Sequence, residues 1–324
     1  SLPMLAALTP PGWEVKIHDA RAPPVDYEEK VDLVGITAFT AEIPSAYQIA
    51  SEFRKRGVKV VMGGIHVSFM TEEALKQVDC VVVGEAEPVW SKLLSDFERG
   101  ELQPIYHADC LVNLESLPIP RRDLLDRSMY VSGFNTVQAS RGCPFNCDYC
   151  AVTAFFGKKF RTRPVADVID EIRNLDTPDF FFVDDNITAQ PAYAKELFRA
   201  LIPLRKVWGG QAAVSIAKDE DLLTLYAKSG GKYALIGFET LSEENLKEVN
   251  KSWNSPNGYK EAIRRIHQAG INILGTFIFG LDNDDTGVFK RTVDFIMEHQ
   301  IDAAQFHILT PFPGTTLYQE MERE

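Results

Sequence analysis

The sequence predicts an α/β chain in two parts: an open doubly wound domain over roughly residues 1–105, and a run of six strand–helix units over 135–324. A linker at 106–134 joins them. Three observations carry this. The predicted strands are nearly continuous in apolar residues, the mark of parallel sheets covered by helices. Strands and helices alternate throughout both parts. Between the parts periodicity is lost over 101–136, where Pro118 and Pro120 fix extended backbone.

In the first part, residues 2–9 read as a helix and WEVKIH (13–18) as a strand. LVGITAF (33–39) is a strand, and 44–56 a helix closed by Gly57. KVVMGG (59–64) and CVVVGEA (80–86) are strands, with helices at 72–78 and 88–98. Open parallel folds bind ligands beyond the carboxyl ends of their strands, which singles out the loops 37–42, 63–68 and 84–87. In the second part the strands are 135–140, 179–186, 208–214, 233–240, 271–281 and 303–312, each followed or preceded by an amphipathic helix. Chemistry in such repeats also sits at the strands' carboxyl ends.

An apolar fraction of 45% and a charged fraction of 25% are ordinary for a globular protein. No run of apolar residues is long enough to span a membrane, and no stretch reads as a signal peptide. A net charge of −12 argues against general binding to nucleic-acid backbones. Five cysteines, three of them clustered, do not make a disulfide framework and imply a reducing, cytoplasmic setting. Ser1 opens within a helical run and Glu324 closes a charged one, so the chain is expected to be part of a longer polypeptide, or its ordered portion.

The stretch RGCPFNCDYC (141–150) carries the chemistry. Cys143, Cys147 and Cys150 stand in CxxxCxxC spacing. Three soft thiolates can hold three irons of a cubane cluster and leave the fourth iron open to a small molecule. A zinc site would need a fourth Cys or His nearby, and none lies close in sequence. Cys80 reads as a core thiol and Cys110 as a linker residue. The spacing, with Tyr149 before the last cysteine, resembles the radical S-adenosylmethionine superfamily. The resemblance implies a [4Fe-4S] cluster held by Cys143, Cys147 and Cys150. S-adenosylmethionine would be chelated to the open iron and cleaved to a 5′-deoxyadenosyl radical. It also implies a partial (β/α)6 barrel for the six units.

The pieces GWEVKIHDA, DLVGITAFT, VVMGGIHVSF and VDCVVVGEAE resemble the Rossmann-like cobalamin-binding domain attached to many such enzymes. On that resemblance Thr37, Thr40, Gly63, Gly64 and His66 line the cobalamin. The DxHxxG motif that often supplies a cobalt-ligating histidine is not in this chain, whose first strand is also missing. Either that segment is absent here, or cobalt has no lower histidine ligand. His66 is read as a cobalamin contact or a cobalt ligand, and His18 as structural. A vestigial domain that binds nothing is the competing reading. The LPIPRRDLL stretch resembles the bridge between the two domains in that family.

In the barrel, Asp184 and Asp185 end the second strand, where the resemblance implies binding of the methionine amino group. The competing reading of this turn, with Asn186, is an Asx turn or helix cap. Gln211 and Ser215 end the third strand as carboxylate or ribose contacts. Glu239 ends the fourth, where a carboxylate can accept both ribose hydroxyls. Burying it would be costly without a partner, which favours a functional role. Thr276 and the backbone of Phe279–Gly280 would pack on adenine. Tyr149 and Phe145 would shield the cluster. Arg161 and Arg163 are read as cofactor or linker contacts, or as a solvated basic run. His307 is left open as proton shuttle, substrate anchor or satisfied core histidine.

The function implied is a cobalamin-dependent radical enzyme, a C-methyltransferase that moves methyl from methylcobalamin to a carbon radical, served by a low-potential donor such as flavodoxin or ferredoxin. The alternatives are a radical enzyme for cyclisation, oxidation or carbon–carbon coupling, and a non-catalytic iron–sulfur redox protein. A methylthiotransferase is disfavoured because the first domain lacks a second cysteine triad. The resemblance leaves the substrate, a small molecule or lipid, unspecified.

Overall fold

The computed structural model describes residues 1–20, 24–129 and 135–323. The chain divides into two compact units, Ser1–Ser132 and Gly133–Glu324.

The first unit holds a four-stranded parallel sheet, Leu33–Thr37, Lys59–Gly63, Cys80–Val83 and Ile105–His107, in that spatial order. Side chains alternate across it, as strand geometry requires. Val60, Met62 and Val81 pack beneath the helix Ile43–Lys55 and the short helices Ile65–Phe69 and Thr71–Leu75. Val61, Cys80 and Val82 pack on the other face, against Leu93 and Leu94 of the helix Trp90–Glu98. Both faces are therefore covered by helices. Cys80 is fully buried, in keeping with a core thiol.

Two details depart from the sequence reading. Residues 13–18 form no strand; they alternate between half-buried and exposed, as a strand would, but no neighbouring strand supplies a ladder among the described residues. The short strand Ile105–His107, where periodicity was already lost, pairs with Cys80–Val83 and carries this sheet past residue 105 into the expected linker. The last five linker positions, 130–134, and Glu324 lie outside the described residues.

The second unit is a six-stranded parallel sheet: Asn135–Val137, Asp179–Phe182, Val207–Ala212, Gly231–Glu239, Asn272–Phe279 and Ala303–Ile308, each beside its predecessor. The first and last strands are not paired to each other, so the barrel is partial. Phe180, Phe182, Trp208, Phe198 and Tyr226 interlock at ring separations of 4.3–5.4 Å between sheet and helices. Such aromatic contacts add to the apolar area buried. The alternate residues, Gln211, Gly237, Thr276 and Gln305, take the opposite, inner face; Gly237 is level with Thr276, and Thr276 with Gln305. No helix among the described residues is long and apolar enough to cross a membrane.

Candidate functional site

The cysteine loop leaves the first barrel strand through a two-residue hairpin, Ser140–Arg141 with Arg161–Thr162. Gly142 must be glycine: its φ is +85°, and a Cβ would stand 2.5 Å from the Lys159 carbonyl oxygen. The end of the second strand holds this exit in place. Asp184 is fully buried and accepts from the Ala139 amide at 3.1 Å and the Ser140 hydroxyl at 2.5 Å. Burial raises its pKa to about 7, against the opposing pull of those bonds. Asp185 accepts from the Gly142 amide at 2.8 Å. It remains half-buried, and its negative charge acts on Cys143 and Cys150. The two aspartates therefore differ. Asp184, held by the Ala139 amide and the Ser140 hydroxyl, has no exposed surface, which tells against its assignment as an ammonium-binding group. Asp185 keeps that possibility. Asn186 closes an Asx-type turn on Thr188, as the competing reading held.

A second segment, 249–254, clasps the cysteine loop. The Asp148 amide donates to the Val249 carbonyl at 3.2 Å, and Asn250 Nδ2 to the Asn146 carbonyl at 2.9 Å. Phe145 stacks on Trp253 with ring centroids 4.4 Å apart. Tyr149 packs with Val249, Ile278, Leu281 and Leu309. The amide of Leu317, in the helix Thr316–Met321, donates to the Asp148 carbonyl at 3.0 Å. The loop is thus ordered by this chain's own groups.

Lys251, which the sequence analysis did not single out, stands at the centre. Its Nζ is 2.5 Å from Glu239 Oε1 and 3.5 Å from the Tyr149 hydroxyl. The side chains of Lys251 and Glu239 are 13% and 10% exposed. Glu239 is therefore partnered, and its burial alone no longer argues for ligand binding. Two local costs surround it. Its φ is +66°, uncommon for a residue with a Cβ. At Gly237 a Cβ would lie 2.1 Å from Glu239 Oε1 and 2.9 Å from Lys251 Nζ, so the pair occupies space that a larger residue there would make it give up. A basic residue in the non-periodic run NKSWN, after the helix Glu243–Glu248 that follows the Gly-x-Glu strand end, was the available signal.

The three thiols are half-buried. Burial raises Cys143 to about 11, Cys147 to about 12 and Cys150 above its usual value, while Lys251 pulls each of them down. Cys150 interacts with both of the others. No three His, Cys, Asp or Glu side chains among the described residues are gathered as a single metal ion would need. The ligands of a cubane attach to separate corners and stand farther apart than those of one ion. Three soft donors on one loop, with an ammonium beside them, fit a cubane and not a tetrahedral zinc site.

Other assignments resolve as follows. Arg163 is neither solvated nor free for a cofactor. It is 4% exposed, donates to the Gln138 carbonyl at 2.9 Å and pairs with buried Glu171 at 2.5 Å. The Arg161 guanidinium carbon lies 5.7 Å from the Phe156 ring. Gln211 and Thr276 lie on the inner face, whereas exposed Ser215 falls in the 3₁₀ turn Val214–Lys218. His307 is exposed, which removes the core-histidine reading.

In the first unit, Thr37 is level with Gly63 and touches the space a Gly64 Cβ would need, 2.9 Å from Thr37 Oγ1; Gly64 has φ +114°. His66 Nδ1 lies 3.3 Å from Thr40 Oγ1. Its Nε2 lies 3.5 Å from Glu73, which also accepts from the Tyr47 hydroxyl at 2.9 Å. Four expected cofactor residues, Thr37, Thr40, Gly64 and His66, thus converge at two strand ends, where Phe39 is 72% exposed. His66 itself is 5% exposed, and its Nε2 makes no hydrogen bond among the described residues.

Comparison with known proteins bears on the same two units. Residues 137–296 match the model of the radical SAM superfamily, and residues 1–94 that of the B12 binding domain. The chain is 32% identical to a bacteriochlorophyllide d C-12(1)-methyltransferase of Chlorobaculum tepidum, covering 99% of this chain and 73% of that protein. It is 31% identical to the bacteriochlorophyllide d C-8(2)-methyltransferase of the same organism, covering 99% and 75%. In fold it is similar to TsrM, a radical S-adenosylmethionine methyltransferase from Kitasatospora setae, with TM-score 0.78 and 19% identity over 91% of this chain and 66% of that one. The CxxxCxxC loop, the partial barrel and the first unit's strand-end loops agree with these matches: the chain belongs to the radical S-adenosylmethionine superfamily, among the cobalamin-dependent enzymes that join its barrel to a B12-binding domain.

Proposed function

We propose that this chain is a C-methyltransferase acting on an unactivated carbon of a large, flat, apolar substrate of the tetrapyrrole kind. The observation that carries the reading is the pairing of both domains with 31–32% identity to two bacteriochlorophyllide methyltransferases over nearly the whole chain. Cys143, Cys147 and Cys150 would hold the cluster. When bound, the cluster with S-adenosylmethionine supplies a hydrogen-abstracting radical, and cobalamin supplies the methyl group.

The chain's own residues position and shield. Asp184 and Asp185 fix the exit of the cysteine loop. Asp185, Gln211, Glu239 and Thr276 offer acceptors toward the amino acid and ribose of S-adenosylmethionine on the inner face. Tyr149 and Phe145 exclude water beside the thiols. Gln305 and His307, exposed on the last strand, offer polar contacts to the substrate. Thr37, Thr40, Gly63 and Gly64 supply the strand-end loops for cobalamin. A low-potential donor such as flavodoxin or ferredoxin would deliver electrons, and a reducing cytoplasm suits the cofactors.

The test is anaerobic reconstitution with iron, sulfide and cobalamin, followed by reduction with S-adenosylmethionine and bacteriochlorophyllide d. Formation of 5′-deoxyadenosine, retained corrinoid and a methylated pigment is the expected result. 5′-Deoxyadenosine with a ring-closed or oxidised product and no added methyl would overturn methyl transfer in favour of a radical cyclase.

A further inference from the structure

We propose that Lys251 is a positioning residue for the iron–sulfur cluster, whose ammonium, anchored by Glu239, sets the field in which the cluster accepts its electron. The inference rests on the reading that Cys143, Cys147 and Cys150 hold that cluster.

Four observations support it. Lys251 is nearly buried, and its Nζ sits between the Glu239 carboxylate and the Tyr149 hydroxyl. Its backbone belongs to the segment that clasps the cysteine loop through Asp148, Asn146 and Phe145. The site reserves room for the pair, since neither Glu239 nor Lys251 could keep its place over any residue but glycine at 237. Tyr149, whose hydroxyl Nζ meets at 3.5 Å, directly precedes Cys150, so the ammonium stands on the loop's side of the pair. The pair therefore presents its positive end to the loop.

A fixed positive charge beside a redox centre favours the state with one more electron. Reduction adds one electron from the external donor to the cluster and involves no proton at Lys251. Removing the charge makes the same step harder; lengthening the cation to a guanidinium keeps it.

The experiment compares wild-type protein with Lys251→Met and Lys251→Arg, each reconstituted with iron and sulfide. The reduced fraction is read by electron paramagnetic resonance against dithionite-poised mediators. Lys251→Met should bind iron and sulfide yet show about a tenfold smaller reduction equilibrium constant, ~59 mV lower for a one-electron couple, and Lys251→Arg should restore most of it. A Lys251→Met cluster with the wild-type potential overturns the proposal. Should Lys251→Met fail to load, thermal unfolding of the cluster-free proteins decides. Lys251→Met should destabilise, and adding Glu239→Gln should recover stability, because the unpaired carboxylate is then gone. Additive losses overturn the pairing. A wild-type protein that takes up no cluster would sink the cluster reading itself, an outcome separate from any change at Lys251.

Discussion

At the carboxyl ends of the barrel strands, polar groups are paired within the protein: Asp184 with Ala139 and Ser140, Asp185 with Gly142, Glu239 with Lys251. At the carboxyl ends of the N-terminal strands the contacts are largely those of hydroxyls with neighbouring loops, Thr40 with His66 at 3.3 Å and Ser68 accepting from the Gly84 amide at 3.0 Å, and positive-φ glycines at 64 and 84 shape the loops. The difference matches two kinds of ligand. A small reactive group needs a rigid cage whose charges are set in advance, since reorganisation would cost rate and admit water. A broad cofactor needs backbone that can come close over a wide surface, which glycine permits.

The largest expected effect lies in the cage. Cys143→Ala, Cys147→Ala or Cys150→Ala should each reduce bound iron and sulfide and bring 5′-deoxyadenosine to background. Corrinoid retention should stay at the wild-type level, because the N-terminal sheet has its own two cores. Loss of corrinoid in any of these variants would break the division of labour. Next comes the strut behind the loop. Glu171→Ala leaves Arg163 buried without its counter-charge, and such losses run to about 3–5 kcal/mol. Urea unfolding should show it, with Glu171→Gln costing less. In the N-terminal loops a comparable lesion is gentler. Gly64→Ala imposes on alanine a positive-φ extended backbone that is essentially glycine's alone, about 1–3 kcal/mol, and presses on Thr37. Lower corrinoid retention with an unchanged iron content is the expected outcome, and Thr37→Ala in the same chain should recover part of it.

These contrasts also explain what could be read from the sequence. The six barrel strands and their helices were legible because apolar runs and 3.6-residue stripes are local signals. CxxxCxxC was legible because its ligands are close in sequence. Residues 13–18 misled because alternation reports an extended chain, whereas a strand also needs a neighbour. Asp184 and Asp185 could not be told apart, since both bond to the loop after the first barrel strand and which one is left wholly buried depends on that distant segment. Lys251 went unseen for the same reason: its meaning comes from Glu239 and Tyr149, brought together only by folding.

A smaller effect separates Asp184 from its neighbour. The folded-state pKa is raised to about 7, above the ordinary carboxylate value of about 3.9 in an unfolded chain. Between those values the unfolded state has lost its proton and the folded state has kept it. The contribution to stability is therefore full below about pH 4 and is lost as pH rises toward about 7. Asp184→Asn preserves the shape, can still accept from Ala139, and carries no proton to lose. Its unfolding free energy should fall less than that of the wild type across this window. Parallel curves for the two proteins would mean that the carboxyl is ionised in the fold and that the barrel cage is less dry than its burial implies.

The smallest expected effect tests the other side of the comparison. If the N-terminal loops hold cobalamin by shape, His66 should matter little to cobalt. The ring is 5% exposed, with one nitrogen toward Thr40 and the other toward Glu73. Reaching cobalt would require the ring to leave its buried position and its 3.3 Å approach to Thr40. His66→Gln retains a hydrogen-bonding side chain of similar reach. The bound corrinoid should then keep its cob(II)alamin optical and paramagnetic spectra and its retention within about threefold of wild type, well under the tenfold that 1.4 kcal/mol represents. A changed axial signature would put the imidazole on the metal. It would also show that the N-terminal loops, like the barrel, commit a side chain directly to their cofactor, and the contrast between a set cage and an open bed would fail at its most exposed point.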